Sequence, residues 1–473
     1  MKFKTLLPAL LVVLAAGCDS ILDVRPINEV DEGTAITTAA GARAALAGLY
    51  DGLQSTGYYG GTFTFFGDLS AEDVEHTGTF TTYRQADLNA LTADNTTIEG
   101  FWDALYRAVG RANIILARVP TVPGLAAAER DQMLAEARFA RALTFHNLVK
   151  LWGEQAPVGM GVPIPLVPPT DIPTASQITR STTGQVYTQI LADLAAAESL
   201  MTLSGGGSTT HRATIGAVRA VRARVFLYQA NYAAAEAEAE AVAAMGYTLA
   251  QNYAHLFTQD GQATPEDIFV LEFIPVDFQL LGFFYRAKGV PGGRREIGPT
   301  ATLLRQYDPA YAGTPASYNP VDLRGQHNIA FTDTIAPFFV YGSKWPTGIG
   351  AEDVHVIRFA EVLLIKSEAE ARQGKLAEAD TGVNLVRARA GLPPVNSIAL
   401  GQAAAIDSIL QQRRLELVFE GDRWPDLVRT GKAAAYLAAF VPPLPPRAAF
   451  QVLYPIPLNE LDVAPGLVQN TGY

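Results

Sequence analysis

The chain of 473 residues is 49% hydrophobic and carries a formal net charge of −11, with a pI near 5.1. That length and apolar content suit a large core and exceed one small module. The acidic balance argues against a nucleic-acid partner. The six histidines (His76, His146, His211, His255, His327, His355) include no pair at metal-ligand spacing, and the single cysteine excludes an intramolecular disulfide.

Lys2 and Lys4 precede an apolar run from Leu6 to Ala16, and Ala15-Ala16-Gly17 places small residues directly before Cys18. This predicts a signal peptide at 1–17, too short to span a bilayer as a mature helix. Small residues ahead of the lone cysteine resemble a bacterial lipobox, with Ala15 where leucine is usual and Leu14 one position further back. Cys18 is therefore expected to become a lipidated N-terminus, followed by a tether over 18–34. Acyl chains contribute ~0.8 kcal/mol per buried CH₂, so two or more anchor stably.

Residues 35–55 read as a helix with Leu46, Leu49 and Leu53 on one side. In TGYYGGTFTFFGD the glycines at 57, 60, 61 and 67 predict a loop or short strand that presents Tyr58 and Tyr59. Helices are expected over 101–119 and 127–152. Gly153 closes the second, and the proline-rich VPIPLVPPTDIP cannot continue it. SGGGS at 204–208 reads as a flexible connector. Val218, Val221, Val225 and Tyr228 recur at helical spacing, as do Tyr232, Ala235, Ala239 and Val242, and later Leu376, Ala379, Val383 and Val386. The turns QANYAAA (229–235) and QGKLAEA (373–379) are alike, so the pattern predicts repeated antiparallel helix pairs resembling the tetratricopeptide type.

Residues 251–354 break this rhythm with frequent proline and glycine. Their aromatic share, 16 of 104 against 9% overall, marks either satellite core or a ligand platform carried on a helical scaffold. Sugar rings lay apolar C–H faces on aromatic planes, so the candidate ligand residues are Tyr58, Tyr59, Phe284, Tyr285, Tyr341 and, foremost, Trp345 in YGSKWPTG. Arg294 and Arg295 in GGRRE have the fork geometry for a carboxylate or sulfate. The carboxylates of Asp68, Glu72 and Asp73, or Glu352 and Asp353, could act on a glycosidic bond only at a defined separation. A nucleophile elbow, a P-loop, HExxH and paired Cys-x-x-Cys are missing, and no catalytic residue, metal or cofactor is expected.

The stretch Arg413–Lys432, RRLELVFEGDRWPDLVRTGK, begins as a helix with Ile406, Ile409, Leu410, Arg413 and Leu417 on one face and Gly421 suited to cap it. Five basic and four acidic side chains lie beside Leu417, Val418, Phe419 and Trp424. Unpaired charge would be costly there, which predicts an ion network of Arg413, Arg414, Glu416, Glu420, Arg423, Asp426 and Arg429. The run resembles the C-terminal signature of the SusD/RagB family, E-R-R-x-E-L-x-F-E-G-x-R-W-x-D-L-x-R, with Gln412 and Pro425 as departures. AEARFARALTFHNLVKLWGE (135–154), the runs at 357–373 and 384–391, the closing YPIPLNELDVAPGLVQNTGY, and Leu22, Asp23 and Pro26 are similar to further family runs.

The resemblance implies a mostly α fold built on tetratricopeptide-like helix pairs, with an N-terminal helical region (35–250), a loop-rich insertion (251–354) and a C-terminal helical region (355–473). It also implies a surface-exposed outer-membrane lipoprotein that captures glycan and delivers it, uncleaved, to a TonB-dependent SusC-like barrel. A peptide ligand is the alternative within the family. Outside it stand a lipid-anchored glycan hydrolase and a helical-repeat scaffold for a protein partner.

Overall fold

Alanines at the helix contacts let successive helices close on one another, and that packing sets the architecture. The computed structural model describes residues 36–168, 177–205, 210–257, 263–288, 292–332, 339–439 and 447–473. The expected signal peptide, the expected lipidation site Cys18 and the expected tether lie outside the described residues, as do parts of the predicted 162–173 and 204–208 connectors.

The first half comprises α1 (Ala39–Gln54), α2 (Thr62–Leu69), β1 (Val74–His76), α3 (Thr81–Asp87), α4 (Thr96–Arg118), α5 (Ala127–Trp152), α6 (Thr183–Leu200), α7 (Ile215–Tyr228) and α8 (Tyr232–Ala243). The middle is made of short elements: β2 (Asp267–Leu271), α9 (Leu281–Tyr285), β3 (Ile297–Pro299), α10 (Ala301–Tyr307), α11 (Leu323–Asn328), β4 (Ile329–Phe331), β5 (Val340–Gly342) and β6 (Val354–Arg358). The remainder is α12 (Phe359–Arg372), α13 (Leu376–Arg389), α14 (Ser397–Leu400), α15 (Gln402–Glu416), α16 (Arg423–Arg429), α17 (Ala433–Ala438) and α18 (Leu458–Val463). The fold is mostly helical. Among the described residues no helix is long and apolar enough to cross a membrane.

Packing runs in a chain: α1 on α4, α4 on α5, α5 on α6, α7 on α8, α8 on α12, and α12 on both α13 and α15. The recurring residues do the closing. Val218, Val221, Val225, Ala235, Ala239, Val242, Ala379, Val383 and Val386 are all fully buried. The two hairpin turns share a left-handed position, taken by Gly374 (φ +80°) in one and by Ala230 (φ +54°) in the other. A side chain there costs ~1–2 kcal/mol, of which glycine's greater unfolded freedom returns roughly 0.5–1. Ala230→Gly should therefore raise the unfolding free energy by about 0.5–1 kcal/mol in urea titration; an unchanged or lowered midpoint would refute the strain.

The glycine-rich stretch at 56–68 departs from expectation. Residues 62–69 form α2 rather than loop or strand. Its glycine serves close backbone approach. A Cβ on Gly67 would meet the Gly421 carbonyl at 2.3 Å, and one on Gly421 (φ +84°) would meet the Thr64 carbonyl at 2.1 Å. The same contact corrects the predicted cap. Helix α15 ends at Glu416, with Leu417 as its C-cap, and Gly421 lies further on, where the turn meets α2.

That turn sits in a dense, buried set of ion pairs. Arg413 bonds Glu361 of α12 at 3.0 Å and Asp426 of α16 at 2.8 Å. Arg414 reaches Asp73, and Arg423 reaches Glu72, both on the segment after α2. Glu416 gathers Arg324 of α11 at 3.1 Å together with Arg358 of β6 and Arg389 of α13. Glu420 takes Arg358 at 2.8 Å and also Lys344, while Arg429 holds Glu368 and Asp426, each at 2.7 Å. The stretch thus ties the end of the chain to its first hundred residues.

Candidate functional site

Five of the six aromatic candidates are interior. Tyr58 and Tyr59 stack at 4.5 Å, and both hydroxyls accept hydrogen bonds from the Asn147 amide, at 2.7 and 2.8 Å. Tyr285 is fully buried, donates to Asp68 Oδ2 at 2.9 Å and stacks on Trp345 at 5.7 Å. Phe284 lies edge-on to Phe65, and Trp345, only 2% exposed, also meets Phe257. These rings cannot be an open sugar platform. They pack on α2 and on the turn after α15, Tyr58 against Phe63, Phe284 against Phe65 and Tyr285 against Phe419.

The carboxylates weighed for hydrolysis are engaged as well. Asp73 and Glu72 pair with arginines, Asp68 meets Tyr285, Glu352 accepts from Thr347 and Gln279, and Asp353 accepts the Phe273 amide at 2.9 Å.

Three predicted residues gather elsewhere. Strands β1 and β3 pair antiparallel, with Glu75 opposite Gly298 and His76 opposite Ile297, and β5 packs beside β3. Strand β5 pairs with β4, placing Tyr341 opposite Ala330. Val74 is buried and Glu75 exposed, so the ladder has an inner and an outer side. The guanidinium of Arg294 lies over Phe80 at 4.4 Å, and that of Arg295 over Phe339 at 4.2 Å. Phe339 is 46% exposed, and Tyr341, two residues on along the strand, shares its side. The result is a shelf of two arginine-capped rings, Phe339 open to solvent and Phe80 half-buried against the core, with Tyr341 along it.

Glu296 anchors the shelf. Its Oε2 accepts the backbone N–H groups of Thr79 at 2.8 Å and Phe80 at 3.3 Å, and its Oε1 accepts Arg294 Nε at 2.6 Å. Burial alone would raise this carboxyl; Arg294 and the two amides outweigh it and hold it below the usual range. A Cβ on Gly78 would fall 1.8 Å from Glu296 Oε2, so the turn needs glycine there. Sequence reasoning missed Phe80, Phe339 and Glu296. A usable signal existed for Phe339, since Phe339 and Tyr341 alternate in FVYG, the period of a strand with one open face.

Two family descriptions match the chain: "SusD family" over residues 243–473 and "Starch-binding associating with outer membrane" over 22–227. The chain belongs to the SusD/RagB family. A "SusD-like protein" of Formosa agariphila is 26% identical to this SusD-family chain over the full length of both. One of Bacteroides ovatus is 23% identical, covering 90% of this chain and 82% of its own. Among solved structures, a SusD superfamily protein of Bacteroides vulgatus aligns with a TM-score of 0.78 at 20% identity, over 94% of this chain and 99% of that one. A "Laminarin binding SusD-like protein" aligns with a TM-score of 0.75 at 23% identity, over 92% and 100%. At these identities the structural likeness establishes the shared SusD fold.

Proposed function

We propose that this SusD-family chain is a surface lipoprotein, anchored through Cys18 in the outer membrane, that binds glycan on the Phe80–Phe339–Tyr341 shelf. It hands the glycan uncleaved to a TonB-dependent SusC-like barrel. The observation that carries this reading is the exposed Phe339 ring under the Arg295 guanidinium, with the partly exposed Tyr341 beside it and Arg294 on the half-buried Phe80, which brings together the two chemistries a sugar's C–H face and its hydroxyls require. The description of its N-terminal matching family as starch-binding and outer-membrane-associated supports glycan over peptide, as does the laminarin-binding neighbour.

Isothermal titration against glycans, laminarin and starch among them, and a peptide panel tests the reading, with product analysis after prolonged incubation. Glycan binding without cleavage is expected. Phe339→Ala should weaken it about tenfold, the worth of one aromatic stacking partner, and leave the thermal midpoint nearly unchanged because the ring is half exposed. Full affinity in that variant would move the site elsewhere on the molecule.

A further inference from the structure

Arg295 lacks the partner that the arginines of the buried ion network have. Arg324, Arg358, Arg389, Arg413, Arg414 and Arg429 each have a carboxylate within 3.1 Å. Arg295 is half-buried, yet no carboxylate among the described residues lies within ion-pair distance, and its Nε is enclosed without an acceptor. Glu75, the nearest acid to influence it, is an exposed neighbour on β1. Arg295 also holds a left-handed backbone (φ +55°), which for a residue with a side chain costs ~1 kcal/mol or more. A strained, partly desolvated cation with no ion pair among the described residues, in a chain of net charge −11, is open to a partner from outside.

The stacking geometry shows which partner. A guanidinium over a ring turns one face to it, and with Arg295 Nε enclosed the two terminal nitrogens are left to match two oxygens of a carboxylate or sulfate. Arg294 is half committed: its Nε is taken by Glu296, and one terminal nitrogen reaches Thr79 Oγ1 at 3.4 Å. The Arg295 edge meets no acceptor among the described residues. Two forks on adjacent residues, each backed by its own ring, face the surface where a sugar would lie.

We propose that the Arg294–Arg295 edge makes this shelf selective for glycans bearing sugar-linked oxyanions, sulfate esters or uronate carboxylates, over neutral glycans. The inference rests on the shelf being the glycan site.

Titration of the full mature chain with size-matched neutral β-glucan, oligouronate and sulfated oligosaccharide tests it, with polyglutamate as a non-sugar polyanion, at low salt and at 0.15 M. One or both anionic glycans should bind at least about tenfold tighter than the neutral one, the worth of a charge-assisted bidentate contact. The arm that binds separates sulfate from carboxylate. Arg295→Gln, which keeps a planar group on Phe339, should abolish that preference. Arg295→Lys should restore only part of it, and Glu75→Gln should strengthen anionic binding. Equal affinity for neutral and anionic glycans, an unaltered preference in Arg295→Gln, or equal binding of polyglutamate would overturn the inference. If neutral glycan binds and Phe339→Ala weakens it while Arg295→Gln does not, the glycan reading stands and selectivity fails. If no glycan binds in any arm, both fail.

Discussion

Glu416→Gln is expected to lower the unfolding free energy by about 3–5 kcal/mol, the usual cost of removing one partner from a buried ion pair. Glu416 is fully buried and faces three guanidinia. Arg324 reaches Oε2 at 3.1 Å, and Arg358 and Arg389 converge on Oε1. Burial by itself would raise this carboxyl, but Arg389, Arg358 and Arg324 overcome it and hold it well below the usual carboxylate range. Glutamine preserves volume and removes the charge, so the loss reports electrostatics rather than a cavity. The three arginines keep other acids, Asp322, Glu266 and Glu420, which is why the chain should still fold. Guanidinium titration with circular dichroism measures the change. A loss under about 1 kcal/mol would mean the network is worth no more than exposed pairs.

Lys150→Met should act in the opposite direction and stabilise the protein by about 2–3 kcal/mol. Lys150 is buried on α5, where its ammonium lies 5.2 Å from the Phe63 ring centroid and has no carboxylate within ion-pair distance among the described residues. It lines a small enclosed cavity with Tyr59, Trp345, Arg224, Glu361 and Asp422. Burial pulls its pKa from 10.5 to about 8; Arg224 adds to the fall, while Asp422, Glu361 and Asp426 oppose it. A folded pKa below the unfolded one means that the unfolded chain binds the proton more tightly. Each tenfold loss of proton affinity on folding is worth about 1.4 kcal/mol, so the folded state is penalised in full below pH 8, by about 3 kcal/mol. That penalty fades between pH 8 and 10.5. Wild type should accordingly close the gap to Lys150→Met across that window, in parallel urea titrations. A difference independent of pH would show that packing, not charge, sets the effect.

Glu416 and Lys150 show how unevenly local sequence reveals energetics. The charge balance of 413–432 made pairing legible, because so many ions beside Leu417, Phe419 and Trp424 leave few other solutions. Locally Lys150 is marked only by the apolar Leu148, Val149, Leu151 and Trp152 around it. Its ammonium lies near the Phe63 ring and lines a cavity shared with residues 59, 224, 345 and 422, all remote in sequence.

The aromatic candidates repeat the lesson. Tyr58, Tyr59, Phe284, Tyr285 and Trp345 on glycine-rich segments suited a platform, but a ring beside glycine has the same local sequence whether it turns inward or outward. Packing against α2 and the turn after α15 turned these rings inward, while Phe339 was left half exposed under Arg295.

By itself the sequence determined the helical class, the repeated hairpins and the SusD/RagB membership, since periodicity, alanine spacing and a long motif are properties of neighbouring residues. Only the tertiary structure decided which rings and cations meet solvent. That choice depends on close approaches between segments hundreds of residues apart, where a Cβ on Gly67 would fall 2.3 Å from the Gly421 carbonyl and one on Gly78 would fall 1.8 Å from Glu296 Oε2, and those approaches are set by the packing of the whole chain.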